Sequence, residues 1–327
     1  KGILLTFLMA VVAGLAAGYL LVRAGADPVL SLFGCVIIAY GIMLVWYYRL
    51  LIQYFPQGWG TSLAFMEWID RYPQLMGVGT CIGIGLYIHL ILMWASPIGV
   101  QIKGLFYSAP GYDVPALFAF LSILITTINF VTSVEVNFYP KYQIYFGLFN
   151  HGGTLIDIEN ARDDMIETLL KELSYAFAKQ FFATVVFIVG GTLLIPRLPF
   201  GFTEEMLGIY RVLCVGYAFY ATGNCIMLMS LYFADNVGAL LSSVAYAVCS
   251  VLGTWFTMNG DSRYYGFGFL IAGIIFTATA LMRLISYLKK LDYHVISKQP
   301  LIQSKKTGPA TRLSRKLEER YCEKEKI

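Results

Sequence analysis

Charge is scarce in this chain. Asp, Glu, Lys and Arg make up 13% of its 327 residues, while 58% are hydrophobic. A soluble domain of ordinary composition carries about 25% charged residues. Too little charge is present here to cover a soluble surface, so a soluble enzyme and a nucleic-acid-binding domain are both excluded. What remains is an all-α polytopic membrane protein.

Reactive side chains are also few. There are three histidines, and the six cysteines contain no C-x-x-C pair. Cys35, Cys81, Cys214, Cys225 and Cys249 lie inside apolar segments, where cysteine packs as a small hydrophobe. A disulfide framework and a metal site are therefore not expected. No G-x-x-x-x-G-K-[ST] loop occurs, so the chain has no ATPase engine of its own. A G-x-S-x-G nucleophile elbow is missing too. The acids between the spans (Asp27, Asp113, Glu204, Glu205, Asp261) are too scattered for the facing carboxylates of a glycosidase. The expectation is a chain that is not an enzyme and needs no cofactor.

What the sequence does have is long apolar runs. Eight are long enough to cross a bilayer, which takes about 20 residues each. They fall near 2–23, 28–48, 75–95, 115–137, 177–195, 206–232, 237–258 and 265–288, separated by breakers such as Ala26-Asp27-Pro28, Ser96-Pro97 and Pro196-Arg197-Leu198-Pro199. With the tail after 288 placed in the cytoplasm, nineteen of the 24 basic residues fall on that side. Only Arg23, Lys103, Arg197 and Arg263 fall on the other, and Arg211 lies within a span. This bias predicts a multi-pass membrane protein with both ends of the chain cytoplasmic. The tail, 289–327, has eleven basic residues against Asp292, Glu318, Glu319, Glu323 and Glu325, which suits contact with anionic lipid or a cytoplasmic partner.

Between the fourth and fifth spans, Gly152-Gly153 makes a turn, and Thr154 with Asp157 forms a capping box. Leu155, Ile158, Ala161, Met165, Leu169 and Leu173 then recur at helical spacing. The pattern predicts a cytoplasmic amphipathic helix over about 154–176, supported by a Glu167–Lys171 pair.

Polar residues inside the spans are the functional candidates. His89 is either a packed or pore-lining histidine, or a base or proton relay whose local partners are Tyr87 and Trp94. Arg211 either snorkels to the interface or faces a water-filled cavity shared with Asn224. Asn129 lies in the span that meets Glu135 in NFVTSVEVNFYPKY, 129–142. Glu135 is within two turns of Lys141, so it either fixes a bend at the interface or acts on a substrate. Gly14–Gly18 and Gly79–Gly83 are G-x-x-x-G spacings of the kind that let membrane helices approach closely.

Four stretches together carry a resemblance. They are DRYPQLMGVGTCIGIGLYIHLILMW (70–94), SAPGYDVPALFAFLSI (108–123), VTSVEVNFYPKYQIYFGLFNHGGTLIDIENARDDMIETL (131–169) and ATGNCIMLMSLYFADNVGALLSS (221–243). In this order they resemble the Pel exopolysaccharide transporter family, PelG, which is similar to the multidrug/oligosaccharidyl-lipid/polysaccharide flippases. The resemblance implies a two-bundle flippase-like fold. Residues 1–48 would be the last two helices of a first bundle, with about four helices preceding Lys1. Residues 49–74 would be a cytoplasmic connector, 75–288 a six-helix second bundle, and 289–327 the basic tail. It also implies a place in the bacterial inner membrane and export of a cationic, amino-sugar-rich polysaccharide, made by a cytoplasmic glycosyltransferase and passed on with other membrane subunits of the synthase. Glu135, Tyr139 and Tyr142 would then stand at the inner mouth of the polymer path, with Asp113 another acid that attracts the polymer. Two other classes stay open: a membrane-embedded transferase acting through His89, and a scaffold for the synthase without a conduit.

Overall fold

A computed structural model describes residues 2–55, 63, 65–197, 201–297 and 308–324. Parts of the expected connector (56–62 and 64), Leu198 and Pro199 of the Pro-rich turn, and tail residues 298–307 and 325–327 lie outside the described residues. The described residues are all-α apart from one small hairpin. Eight helical stretches are long and apolar enough to cross a membrane, as the apolar runs predict.

The chain divides into two compact units, Lys1–Ala64 with Lys316–Ile327, and Phe65–Arg315. The first holds helices α1 (Gly2–Arg23) and α2 (Pro28–Tyr54). Asp27 caps α2 by accepting from the backbone N–H groups of Val29 and Leu30, and Pro28 at the first turn gives up no needed donor. Lipid tails give two apolar helices no hydrophobic reason to associate, so close backbone packing has to hold them. Gly14 supplies it: a Cβ there would lie 2.7 Å from the Cys35 carbonyl oxygen.

The second unit contains α3 (Met66–Arg71), α4 (Pro73–Trp94), strands β1 (Val100–Lys103) and β2 (Phe106–Ser108), α5 (Pro110–Phe120) and α6 (Leu124–Ser133). A short π-helical turn, Val134–Phe138, leads into α7 (Tyr139–His151). There follow α8 (Leu155–Leu194), α9 (Glu204–Tyr232), α10 (Asn236–Met258), α11 (Phe267–Leu288), α12 (Leu291–Ser297) and the start of α13 (Pro309–Lys324). The two strands pair antiparallel, Val100 opposite Ser108, with a bulge between Gln101 and Lys103. Neither this hairpin nor helices α12 and α13 in the tail follow from the apolar pattern.

The helix path runs back and forth between two ends, here called the hairpin end and the tail end. Helix α9 is the most enclosed element, and its buried residues face α5, α8 and α11. The core is correspondingly in two parts. Tyr112, Tyr210, Tyr217, Tyr246 and Phe269 anchor one toward the hairpin end. Phe138, Tyr145, Met229, Phe233 and Leu284 anchor the other at the tail end.

Two local expectations resolve differently. The capping box forms as read: the Thr154 hydroxyl accepts from the Asp157 N–H, and the Asp157 carboxylate accepts from the Thr154 N–H. From there α8 runs unbroken for 40 residues, so the amphipathic stretch and the following span are one helix. The Glu167–Lys171 pair does not form; of the nearby ion pairs Arg162–Asp163 stays on α8, while Lys141–Asp164 and Arg162–Asp292 reach to other helices. On α4, Gly79 and Gly83 face open space, and it is Gly85 that packs, with Tyr246 of α10 filling the position of its missing Cβ. The Ser250 hydroxyl donates to the Gly85 carbonyl at 2.8 Å. The glycine spacing on α4 marks the wrong face, because spacing alone does not say which neighbour a helix meets.

Candidate functional site

At the tail end, the local sequence explains an unusual turn. Pro140 has no N–H to give to the carbonyl four residues back, and its ring crowds that carbonyl. The ladder relaxes accordingly: the Tyr139 N–H reaches back five residues to the Val134 carbonyl. Such π turns are rare and recur at functional sites. Here the turn keeps Val134 and Phe138 buried while Glu135, Val136 and Asn137 stay exposed. Glu135 is thus placed on the surface at the end of the apolar stretch, with the Tyr232 hydroxyl beside it.

A row of rings continues from this turn. Tyr139 stacks on Tyr142, with centroids 6.3 Å apart and planes 14° apart. Tyr142 meets Phe146 at 4.3 Å and Tyr232 at 6.2 Å, and its hydroxyl donates to the Tyr232 carbonyl. Phe138 closes the row from beneath, against Tyr232 and Phe233. Glu172 of α8 accepts hydrogen bonds from Ser133 and Asn137, on either side of Glu135 in sequence. Asn129 lines a narrow crevice with Ser133, Glu172 and Lys179. Glu172 is not among the sequence candidates, although it falls three residues after Leu169 and seven after Met165, on the apolar side of α8, and a carboxylate at that register is the signal that could have found it.

The tail end is held by a network with only one sequence signal, the short acidic turn between α9 and α10. Asp235 in that turn is 2% exposed, and Arg283 of α11 binds it through two N–H groups at 2.7 and 2.9 Å. Asp235 also caps α10 through the Gly238 N–H. The Tyr287 hydroxyl donates to the Phe233 carbonyl at 3.0 Å, next to Ala234, whose φ of 56° is left-handed. A non-glycine residue holds that conformation only where its surroundings fix it. Tyr145 donates to Asp292 at 2.7 Å, the same carboxylate that Arg162 meets.

At the hairpin end, His89 is fully buried. Its Nδ1 lies 2.9 Å from the Tyr112 hydroxyl and its Nε2 3.4 Å from the Tyr217 hydroxyl, while Phe269 covers the ring at 4.2 Å. These partners come from α5, α9 and α11, not from the flanking turns of α4 where the sequence offered Tyr87 and Trp94. Asp113, in the first turn of α5, accepts from Trp94 Nε1 at 3.1 Å, Ser108 Oγ at 3.0 Å and the Ala109 N–H at 2.9 Å. Asp113 lines a cavity of about 460 Å³ with Tyr87, Leu90, Trp94, Phe120 and Tyr217.

Glu135, Tyr139 and Tyr142 therefore share one end of the unit, and His89 and Asp113 lie near the other, where Tyr217, the partner of His89, lines the same cavity as Asp113. Arg211 and Asn224 belong to neither group. Arg211 is exposed, and its Nε donates to Thr192 of α8 at 3.1 Å. Asn224 lies thirteen residues further along α9, about 20 Å away at 1.5 Å per residue, too far for the two to share a small cavity. Among the described residues no group of three or more His, Cys, Asp or Glu side chains is placed to hold a metal ion.

Comparison with known proteins gives one family. The model of the PelG family, described as "Putative exopolysaccharide Exporter (EPS-E)", matches residues 1–296. No curated protein and no solved structure matches the chain.

Proposed function

The chain belongs to the PelG family of exopolysaccharide exporters, and from that premise we propose that its tail end is the loading mouth for a cationic, amino-sugar-rich polymer. The observation that carries this reading is the π turn, which sets an exposed Glu135 beside the ring row Tyr139–Tyr142–Phe146. Aromatic faces stack on the C–H faces of sugar rings, and a carboxylate pairs with the ammonium of an amino sugar. A row of such rings offers successive units of a polymer similar contacts, so the chain can advance from one to the next. An exposed ion pair is worth about 0.2–1 kcal/mol. That strength suits a conduit, whose contacts must be strong enough to admit the substrate and weak enough to release it.

In this reading the tail end faces the cytoplasm of a bacterium, and the excess of basic residues there supports that orientation. A cytoplasmic glycosyltransferase delivers the polymer, other membrane subunits of the synthase complete the path, and the basic tail rests on anionic lipid. No bond is made or broken by this chain, and His89, enclosed by three aromatic rings, is a strut of the bundle.

The test is Glu135→Gln, which keeps the shape of the side chain and removes its charge. Secreted polymer should fall about fivefold, the equivalent of one exposed charge contact, at unchanged protein level in the membrane. Unchanged secretion would remove Glu135 from the path.

A further inference from the structure

The cavity at the hairpin end has a chemistry of its own. Asp113 has partners for its carboxylate, but all are neutral: an indole N–H, a hydroxyl and a backbone N–H. Asp113 is in none of the ion pairs among the described residues. Its Oδ2 takes three of these bonds, whereas Oδ1 receives only the shared Trp94 N–H at 3.1 Å. A carboxylate has room for about four donors, so Oδ1 is free to take more. A partly buried negative charge beside an apolar wall is costly unless a cation reaches it.

The wall is half aromatic and half aliphatic, with Leu86, Leu90, Ala116 and Leu117 between the rings. Tyr87 is 54% exposed, and Trp94, Phe120 and Tyr217 line the same space. At about 460 Å³ the cavity is within the size range of small-ligand clefts. Trp94 and Asp113 stand where α4 ends and α5 begins, and from there the cavity runs along the two helices to Leu86 and Phe120.

We propose that this cavity is a second saccharide site that binds one protonated amino-sugar unit, with the ammonium on Asp113 Oδ1 and the sugar face on Tyr87 and Trp94. The inference rests on the exporter reading for its substrate class, and on the neutral partners of Asp113 for its preference. It makes the hairpin end the selective station. An N-acetylated unit offers no positive charge to Oδ1, so it loses the pairing and keeps only the stacking.

The experiment uses the full chain in lipid nanodiscs and reads tryptophan fluorescence, since Trp94 forms part of the wall. The probes are a glucosamine oligomer, whose amines are protonated, and an N-acetylglucosamine oligomer of equal length. The glucosamine oligomer should quench fluorescence saturably, at a midpoint about tenfold below that of the acetylated one, the equivalent of one hydrogen bond to a charged group. Trp94→Phe should abolish the signal. Tyr87→Ala, which touches none of the Asp113 hydrogen bonds, should weaken both oligomers several-fold and leave the preference intact. Asp113→Asn should bring the two midpoints together. Equal midpoints in the native protein, no saturable quenching, or quenching that survives Trp94→Phe would overturn the proposal. Because binding is read without transport, this result is independent of whether Glu135→Gln alters secretion.

Discussion

The two ends of the six-span unit each present a carboxylate among aromatic rings, but they present it differently. Glu135 stands exposed on a π turn. Asp113 is half-buried and tied to Trp94, Ser108 and Ala109. The first is added to the surface of a helix junction, so its loss should leave the fold intact. The second also closes the hairpin onto α5, so its loss should cost both structure and binding. Rigidity at one end and openness at the other fit a path that gathers polymer loosely and selects it later.

Substitutions can break or sharpen that contrast. The largest effect should come from Arg283→Ala, which leaves the buried Asp235 carboxylate without its cation. Removing one partner of such a pair costs about 3 kcal/mol or more, so the thermal midpoint in detergent and the membrane level should both drop. A normal midpoint would mean that the α9–α10 turn does not anchor the tail end. Next is Asp113→Ala, which strands three donors at the hairpin end and should cost about 1–3 kcal/mol by thermal unfolding. Equal stability for Asp113→Ala and Glu135→Ala would erase the contrast between the two ends.

Pro140→Ala should have a smaller thermal effect, within about 1 kcal/mol, with a clear positional one. With an N–H restored, the ladder can close at four residues, and the face carrying position 135 rotates. A cysteine at 135 should then react more slowly with maleimide when combined with Pro140→Ala than when Pro140 is kept. Identical rates would show that proline does not cause the π turn.

The smallest effect concerns α13. Asp70 of α3 accepts from the Thr311 hydroxyl at 2.6 Å and from the N–H groups of Thr311 and Ala310, acting as a cap supplied from elsewhere in the chain. These donors, the Thr311 hydroxyl first, hold the Asp70 carboxyl below its usual range. A lowered carboxyl pKa stabilises docking at pH above the unfolded value of about 3.9, and the gain is lost as pH falls through the folded value. Proteolysis near 308–315 should therefore be constant from pH 7 to about 4 and rise only below that. A rise between pH 7 and 5 would mean that another group controls the docking.

Much of the fold could be read from the chain because the bilayer imposes a length and a polarity on every span. The eight apolar runs, the Thr154–Asp157 capping box and the close approach at Gly14 all depend on neighbours in sequence or on one helix pair. The sites depended on more. His89 meets Tyr112 and Tyr217, 23 and 128 residues away, and Asp70 meets Thr311 across 241. Apolar periodicity reports which face of a helix avoids water, but in lipid nearly every face does, so it does not reveal the neighbour. The π turn had a visible cause in Tyr139-Pro140, but the sequence alone does not say whether a proline there kinks, ends or widens the helix.

The most direct test of the central claim is to find the polymer beside the π turn. A photo-reactive residue placed at Glu135 or Tyr139 in secreting cells should cross-link polysaccharide to the protein on illumination. The same residue at Phe256, an exposed ring of α10, should not. Adducts at 135 and 139 alone are the predicted result. No adduct at either, or equal yield at Phe256, would contradict it.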